Sequence, residues 1–490
     1  MVRLSLMKKI KIIGGGLAGP EAALQAASQG CEVALYEMRP ARSTEAHQTA
    51  DFAELVCSNS LKSESENTAP WLLKQEMRRA GSVLLAEADA SAVPAGHALA
   101  VDRVEFSRRV AARIDALVGF GPGRIAVHRE EVLTLDEHSP DAITVLATGP
   151  LTSPALTAEL TRLTGSGHLA FYDSISPIVD ATTIDMSKVY FAARYDKGTA
   201  DYINCPFTKE QYDAFLDALT TAEAVPAKSW EHLPDHESSG APSMTASSSW
   251  VGSTNPAPAT ETIHYFEGCL PIEETARRGR DTLRFGPMKP VGLTDPKTGR
   301  WPYAVVQLRQ ENLRADSYNL VGFQNHLRFG EQARVLRLIP GLENAAFLRY
   351  GQIHRNTYIN APTLLTETLQ LRAHPSILIA GQLSGVEGYT ESIASGLLAG
   401  RYAAALAHGT QPEPAPRLSA NGSLSYYITH AQSVEKSKRF QPANITFDLL
   451  PPLEEELRKK IRDKKERHRL QCERALAAWD TWLAHSLAIA

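Results

Sequence analysis

Residues 10–13 read Ile10-Lys11-Ile12-Ile13, followed by Gly14-Gly15-Gly16-Leu17-Ala18-Gly19-Pro20, an alanine-rich run over 22–29, and then Glu32-Val33-Ala34-Leu35-Tyr36-Glu37. The β-branched run predicts a strand, the alanine run a helix, and 32–36 a second strand, which together make a βαβ unit. Gly14 permits a tight turn, Gly16 lets backbone approach a pyrophosphate, and Gly19 lets helix and strand pack closely. The helix start presents free N–H groups and a positive dipole end to phosphate oxygens. Pro20 suits the first helical turn, where a missing N–H costs nothing. Glu37 closes the second strand 18 residues after Gly19, where a carboxylate can accept ribose hydroxyls. The predicted nucleotide site is therefore Gly14, Gly15, Gly16, Leu17, Ala18, Gly19 and Glu37. This unit alone leaves NAD and FAD both open.

Two later segments favour FAD. The apolar run Ala142–Leu146 ends in Ala147-Thr148-Gly149, small residues against which the adenosine half of a long dinucleotide can lie. Ile379-Ala380-Gly381-Gln382 continues as Leu383-Ser384-Gly385-Val386-Glu387-Gly388-Tyr389, a strand entering a glycine-rich turn and then a helix. A second helix start of that kind can face the far end of an extended cofactor. Gly149, Gly381 and Gln382 join the predicted cofactor residues. A second complete phosphate fingerprint is absent from the sequence, so no separate NAD(P)H-binding Rossmann domain is visible.

The chain of 490 residues has room for roughly two to four domains. Its 51 Lys and Arg nearly balance 55 Asp and Glu, which excludes a histone-like polycation but not a local basic surface. Cys31, Cys57, Cys205, Cys269 and Cys472 are odd in number and never spaced CxxC, which argues against a disulfide scaffold or a zinc ribbon. No metal is expected. The start lacks a signal-peptide pattern, and no apolar stretch approaches the roughly 18 residues of a membrane span. A cytoplasmic protein without a membrane partner is expected.

The α/β rhythm predicts a first FAD-binding segment over 1–164, an α+β insertion over 165–320, a second FAD-binding segment over 321–412 and a helical C-terminal segment over 413–490. Within the insertion a flexible loop is expected at about 219–260; residues 240–260 are 17 of 21 Ala, Ser, Thr, Pro or Gly.

Several longer motifs then carry a family resemblance. They include GGGLAGPEAA near the start, FAELVCSNSLKS around Cys57, ALAVDR over 98–103, FYDSISPIV over 171–179, NCPF over 204–207 and FEGCLPIE around Cys269. FGPMKPVGL, PYAVVQLRQEN, YNLVGFQ, IPGLENA, RYGQIHRNTYINAP and AGQLSGVEGYTESIASGLLAG complete the set. The chain resembles the folate- and FAD-dependent tRNA (uracil-5-)-methyltransferases of the TrmFO type, which are related to the GidA flavoproteins. The resemblance covers about residues 10–406, with the Ala/Ser/Pro-rich stretch before FEGCLPIE as its one visible departure.

The resemblance implies a glutathione-reductase-type Rossmann FAD-binding domain interrupted by an insertion domain. It implies methylation of a T-loop uridine of tRNA at carbon 5. The carbon comes from 5,10-methylenetetrahydrofolate, and NAD(P)H reduces the FAD. Carbon 5 of uracil is a poor nucleophile, so a thiolate must add at carbon 6 and a base must later remove the carbon 5 proton. The resemblance assigns the first task to Cys269 and the second to Cys57, and places His354 against the folate pterin. Both thiols need cationic or helix-terminal neighbours to ionise near neutral pH. Cys205 reads as structural, and Cys31 and Cys472 as buried small hydrophobes.

For tRNA, Arg458–Arg469 carries eight Lys or Arg in twelve residues, with Leu453, Leu457 and Ile461 at helical spacing. An amphipathic helix with a cationic face is predicted, joined as phosphate contacts by Arg277, Arg278, Arg280 and Lys289. Competing readings are a wobble-uridine-modifying flavoprotein, a flavin-dependent disulfide reductase and a non-enzymatic FAD-carrying RNA-binding protein. The first is disfavoured because its Cys-Asn-Pro turn is replaced by Cys57-Ser58-Asn59-Ser60. The second wants paired cysteines and a second nucleotide fingerprint, and the third does not require the Cys57 and Cys269 motifs.

Overall fold

The computed structural model describes residues 8–44, 46–136, 141–165, 169–196, 198–225, 270–434 and 440–488, and leaves the side chains of 169–174, 353–355, 432–434 and 486–488 undescribed. The opening βαβ unit forms as its sequence dictates: strand β1 (Lys9–Ile13), helix α1 (Ala18–Ser28) and strand β2 (Val33–Tyr36). They belong to a parallel five-stranded sheet in the order 377–379, 142–146, β1, β2, 125–128. Ile10, Ile12, Val33, Leu35, Val145 and Leu378 are fully buried, as a sheet covered on both faces requires.

One of those covers is a close helix pair. A Cβ on Gly396 would stand 2.3 Å from the Ala18 carbonyl oxygen, and one on Gly400 would stand 2.5 Å from that of Ala22. The small residues therefore let the helix Tyr389–Ala407 lie directly on α1, which brings the two predicted helix starts to one end of the sheet.

A second core surrounds an antiparallel six-stranded sheet in the order 190–191, 203–207, 304–310, 317–320, 178–180, 347–349. Phe207, Phe215, Phe323 and Leu336 fill it, and the helices Lys209–Thr221 and Phe329–Leu336 cover it. The chain passes between the two cores along a two-stranded ribbon, Leu169–Ser174 against Ile353–Tyr358.

This arrangement moves one expected boundary. Residues 321–349, expected in the returning FAD-binding segment, contribute Val335, Leu336, Ile339, Leu342 and the edge strand Phe347–Arg349 to the second core. Helical periodicity identifies an apolar face but not which sheet that face meets. Within the insertion, the first strand of this sheet is only Tyr190–Phe191, followed by a short 3-10 turn at Arg194–Asp196. The expected loop at 219–260 begins as helix to Thr221, and residues 226–260 lie outside the described residues.

The C-terminal segment is helical over Ala420–Val434, Glu455–Lys460 and Lys464–Ala488. The indole Nε1 of buried Trp479 donates to the Glu76 carbonyl at 2.7 Å, and the Glu76 carboxylate accepts from the Ala420 and Asn421 N–H groups. These contacts dock the segment on the helix Ala69–Arg79. The single basic helix expected over 458–469 is instead two helices. Ile461 turns to ψ 106°, and Asp463 restarts the chain by accepting from the Lys465 N–H. Leu453 is buried ahead of the first helix while Leu457 is 39% exposed, so the three apolar residues form no common stripe.

Candidate functional site

The cleft at the strand ends holds about 370 Å³. Gly14, Gly15, Gly16, Leu17, Ala18 and Glu37 line one end, joined by Thr148, Gly149, Gly381 and Gln382, with Gly381 so close to the first turn that a Cβ there would stand 3.1 Å from the Ala18 Cβ; Cys57 and Tyr389 line the other end. Gly19 lies beneath, where a Cβ would stand 1.8 Å from the Gly14 carbonyl oxygen. It packs helix against strand and does not line the cleft.

At the near end Gly14 adopts φ +116°, and a Cβ there would stand 2.3 Å from the Ala147 carbonyl oxygen. Gly16 has open space beside it, so its backbone is available to a ligand. The Glu37 carboxylate accepts from the Gly15 N–H at 2.7 Å and from Arg39 Nε at 2.8 Å. Burial works to raise its pKa, but the Arg39 and Gly15 donors outweigh burial and hold it below the usual carboxylate value. An ionised Glu37 keeps free lone pairs for ribose hydroxyls. A cleft lined by two glycine-rich helix starts and this acid fits an extended dinucleotide such as FAD.

At the far end Cys57 sits in a loop held from several sides. The Cys57 and Ser58 N–H groups donate to the Tyr389 hydroxyl at 2.6 and 3.2 Å. Arg103 donates to the Leu55 carbonyl at 2.9 Å and the Cys57 carbonyl at 3.2 Å, and forms a two-pronged pair with Glu311 at 2.7 and 3.2 Å. Asn59 accepts from Arg309 Nε and Asn319 Nδ2, and donates to the Val101 and Gln310 carbonyls. Arg103 and Arg349 both interact electrostatically with Cys57. The cationic neighbours that the chemistry demands are thus Arg103 and Arg349. Arg103, Glu311 and Arg349 stand in the ALAVDR, PYAVVQLRQEN and RYGQIHRNTYINAP motifs, but nothing in the sequence ties these three to Cys57.

Lys62, with φ +65°, reaches across the same end to Glu391 at 2.5 Å and Asn444 at 2.7 Å. Gln382 Nε2 donates to Glu387 at 2.7 Å. These contacts fix the second glycine-rich turn against the Cys57 loop.

Of the four described cysteines, Cys57 is half-exposed and the others are buried. Burial pushes the Cys31 thiol up to about 11 and that of Cys472 up to about 12, and raises that of Cys205 further. Such thiols stay protonated and inert. Cys269 lies outside the described residues. His354 lies in the ribbon, its backbone opposite Asp173, and its side chain is outside the described set. Among the basic candidates, Arg277 pairs with Glu274, and Arg280 with Asp213 and Asp217. Lys289 and Arg278 are exposed.

Comparison with known proteins bears on this geometry. A family model described as glucose inhibited division protein A matches residues 9–246 and 253–411. A protein of Koribacter versatilis named methylenetetrahydrofolate--tRNA-(uracil-5-)-methyltransferase TrmFO is 65% identical over 98% of both chains. The chain belongs to the TrmFO family. A TrmFO of Enterococcus faecalis is 49% identical over 96% of this chain and 98% of its own. The fold also resembles solved GidA of Aquifex aeolicus, with TM-score 0.64 at 16% identity, covering 100% of this chain and 76% of that one. The TrmFO relatives extend over the C-terminal helices as well as the motif-bearing region.

Proposed function

We propose that this chain methylates carbon 5 of the T-loop uridine of tRNA, with 5,10-methylenetetrahydrofolate as carbon donor and NAD(P)H as reductant through FAD. The observation that carries the reading is the partly exposed Cys57, which lines the same cleft as the Gly14–Gly16 turn and whose loop is held by Arg103. FAD, when bound and reduced, supplies the hydride that completes the methyl group.

The chain's own residues divide the remaining work. Cys269 adds to carbon 6 of the ring and makes carbon 5 nucleophilic, so that carbon 5 forms a bond to the folate methylene. Cys57, as thiolate, then takes the proton from carbon 5. Loss of that proton expels tetrahydrofolate from the methylene and leaves an exocyclic methylene on the Cys269 adduct; hydride addition at that carbon restores the 5,6 double bond and expels Cys269 from carbon 6 as thiolate. The loop contacts of Arg103 and Tyr389 keep the Cys57 sulfur at a fixed position in the cleft. His354 stacks on the pterin face. The bound uridine leaves its stack to reach the cleft, at a cost of a few kcal/mol.

Exposed Arg458, Lys460, Arg462, Lys464 and Lys465 serve as phosphate contacts, whereas the acid-paired Arg277 and Arg280 contribute less. No helix among the described residues is long and apolar enough to cross a membrane, and cytoplasmic tRNA is the substrate we assign. Incubating an unmodified tRNA transcript with methylenetetrahydrofolate, FAD and NADPH is expected to add one methyl group at the T-loop uridine. Cys57→Ala and Cys269→Ala are expected to abolish the gain, and an unchanged transcript mass with the unaltered enzyme would refute the reading.

A further inference from the structure

The cations around Cys57 differ in how their charge is met. Arg103 is matched by the two-pronged Glu311 pair, and Glu311 also accepts from Asn319. Arg309 donates to Asn59 and shares the field of the same Glu311. Arg349 is different. It ends the edge strand Phe347–Arg349 of the smaller core, and its Nη2 donates to the Ala46 carbonyl at 3.3 Å. Ala46 shares a small apolar cluster with Ile175 and with Val56, the residue before Cys57, so this bond anchors the guanidinium near the loop. No carboxylate among the described residues forms an ion pair with it; the carboxylate whose field reaches it is Glu54, which is engaged by Arg39, Gln48 and Thr49.

A partly buried cation without a matching anion is costly, and the cost falls when a neighbouring acid ionises. Cys57 and Tyr389 are the acids that interact with Arg349 at this point. Tyr389 stays protonated, because burial and the adjacent Cys57 raise its phenol. Lys62, the remaining cation at this end of the cleft, is held by Glu391. The thiol of Cys57 is left as the group able to supply the anion.

We infer that Arg349 is a positioning residue of charge: delivered by the smaller core, it holds Cys57 as a thiolate, while the Arg103–Glu311 pair acts as a nearly neutral strut that fixes the loop. The inference rests on the reading of Cys57 as the base, and it makes the competence of that base depend on how the two cores join.

The test follows alkylation of Cys57 in the FAD-loaded enzyme by iodoacetamide across pH, read peptide by peptide by mass spectrometry. In Arg349→Gln the midpoint is expected to rise by about one unit or more, and Arg349→Lys is expected to restore it. Flavin absorbance serves as the check on folding. An unmoved midpoint in Arg349→Gln, or an equal rise in Arg349→Lys, overturns the inference. If Arg349→Gln fails to hold flavin, Glu311→Gln decides. Freeing Arg103 is expected to lower the midpoint, and an unchanged or higher one overturns the inference. Turnover by Cys57→Ser separates the two levels, because retained methylation refutes the base assignment while leaving any Arg349 effect on the thiol intact.

Discussion

The two ends of the cleft are built in opposite ways. The glycine-turn end comes from one continuous stretch: Gly14, Gly15 and Gly16, with Glu37 returning within the same βαβ unit to accept the Gly15 N–H. The Cys57 end is assembled from Leu55–Asn59, Arg103, Glu311, Arg349 and Tyr389, drawn from both cores. A locally encoded site can be damaged only near its own residues, whereas an assembled one is sensitive wherever its supports begin.

That contrast sets the expected order of effects. Arg103→Ala removes one side of a mostly buried pair and two carbonyl contacts, and should destabilise the protein by about 3–5 kcal/mol in denaturant unfolding. A loss below about 1 kcal/mol would show that the Cys57 end does not depend on this strut. Gly14→Ala places a Cβ against Ala147 in a backbone conformation that alanine disfavours. FAD affinity should fall by about a hundredfold or more in a fluorescence titration, with the Cys57 alkylation profile of flavin-saturated enzyme little changed. Glu76→Ala strips the N–H groups of Ala420 and Asn421 of their acceptor, costing about 1–3 kcal/mol and raising hydrogen exchange in the helix 420–434.

Smaller effects come from pH, where two acids of the first βαβ unit should respond with opposite sign. Burial pushes Glu21 up to about 7 against the pull of the Leu84 and Val83 N–H groups and the Gln25 side chain. The stability it contributes is complete below about 4.5, its unfolded value, and is lost as pH rises through about 7. Glu37 is held low, so its contribution is present above about 4.5 and is lost as pH falls through its depressed value. Thermal midpoints of Glu21→Gln should fall less than wild type between pH 5 and 8, and those of Glu37→Gln should fall less than wild type below pH 4.

These differences explain how much could be read in advance. The βαβ turn was legible because contiguous glycines, strand period and a trailing acid all describe the same few residues. Cys57 and its partners were each legible in motifs, yet their meeting was not. Glu311 follows the end of one strand and Arg349 ends another, and only the sheet order 304–310, 317–320, 178–180, 347–349 brings them to the same loop. The domain boundary at 320 failed for a related reason, since the helix 329–336 has an apolar face that suits either sheet. The basic run 458–469 showed helical spacing, but the Asp463 cap divides it, a local hydrogen bond that apolar periodicity does not register.

The central claim is that Cys57 removes the proton from carbon 5 of a tRNA uracil. It is tested most directly with tRNA tritiated at uridine carbon 5, methylenetetrahydrofolate, NADPH and flavin-loaded enzyme. The account predicts tritium release into water by the unaltered protein, and a fall of about a hundredfold or more in Cys57→Ala that still binds flavin and tRNA. Release by Cys57→Ala at the unaltered rate would contradict it.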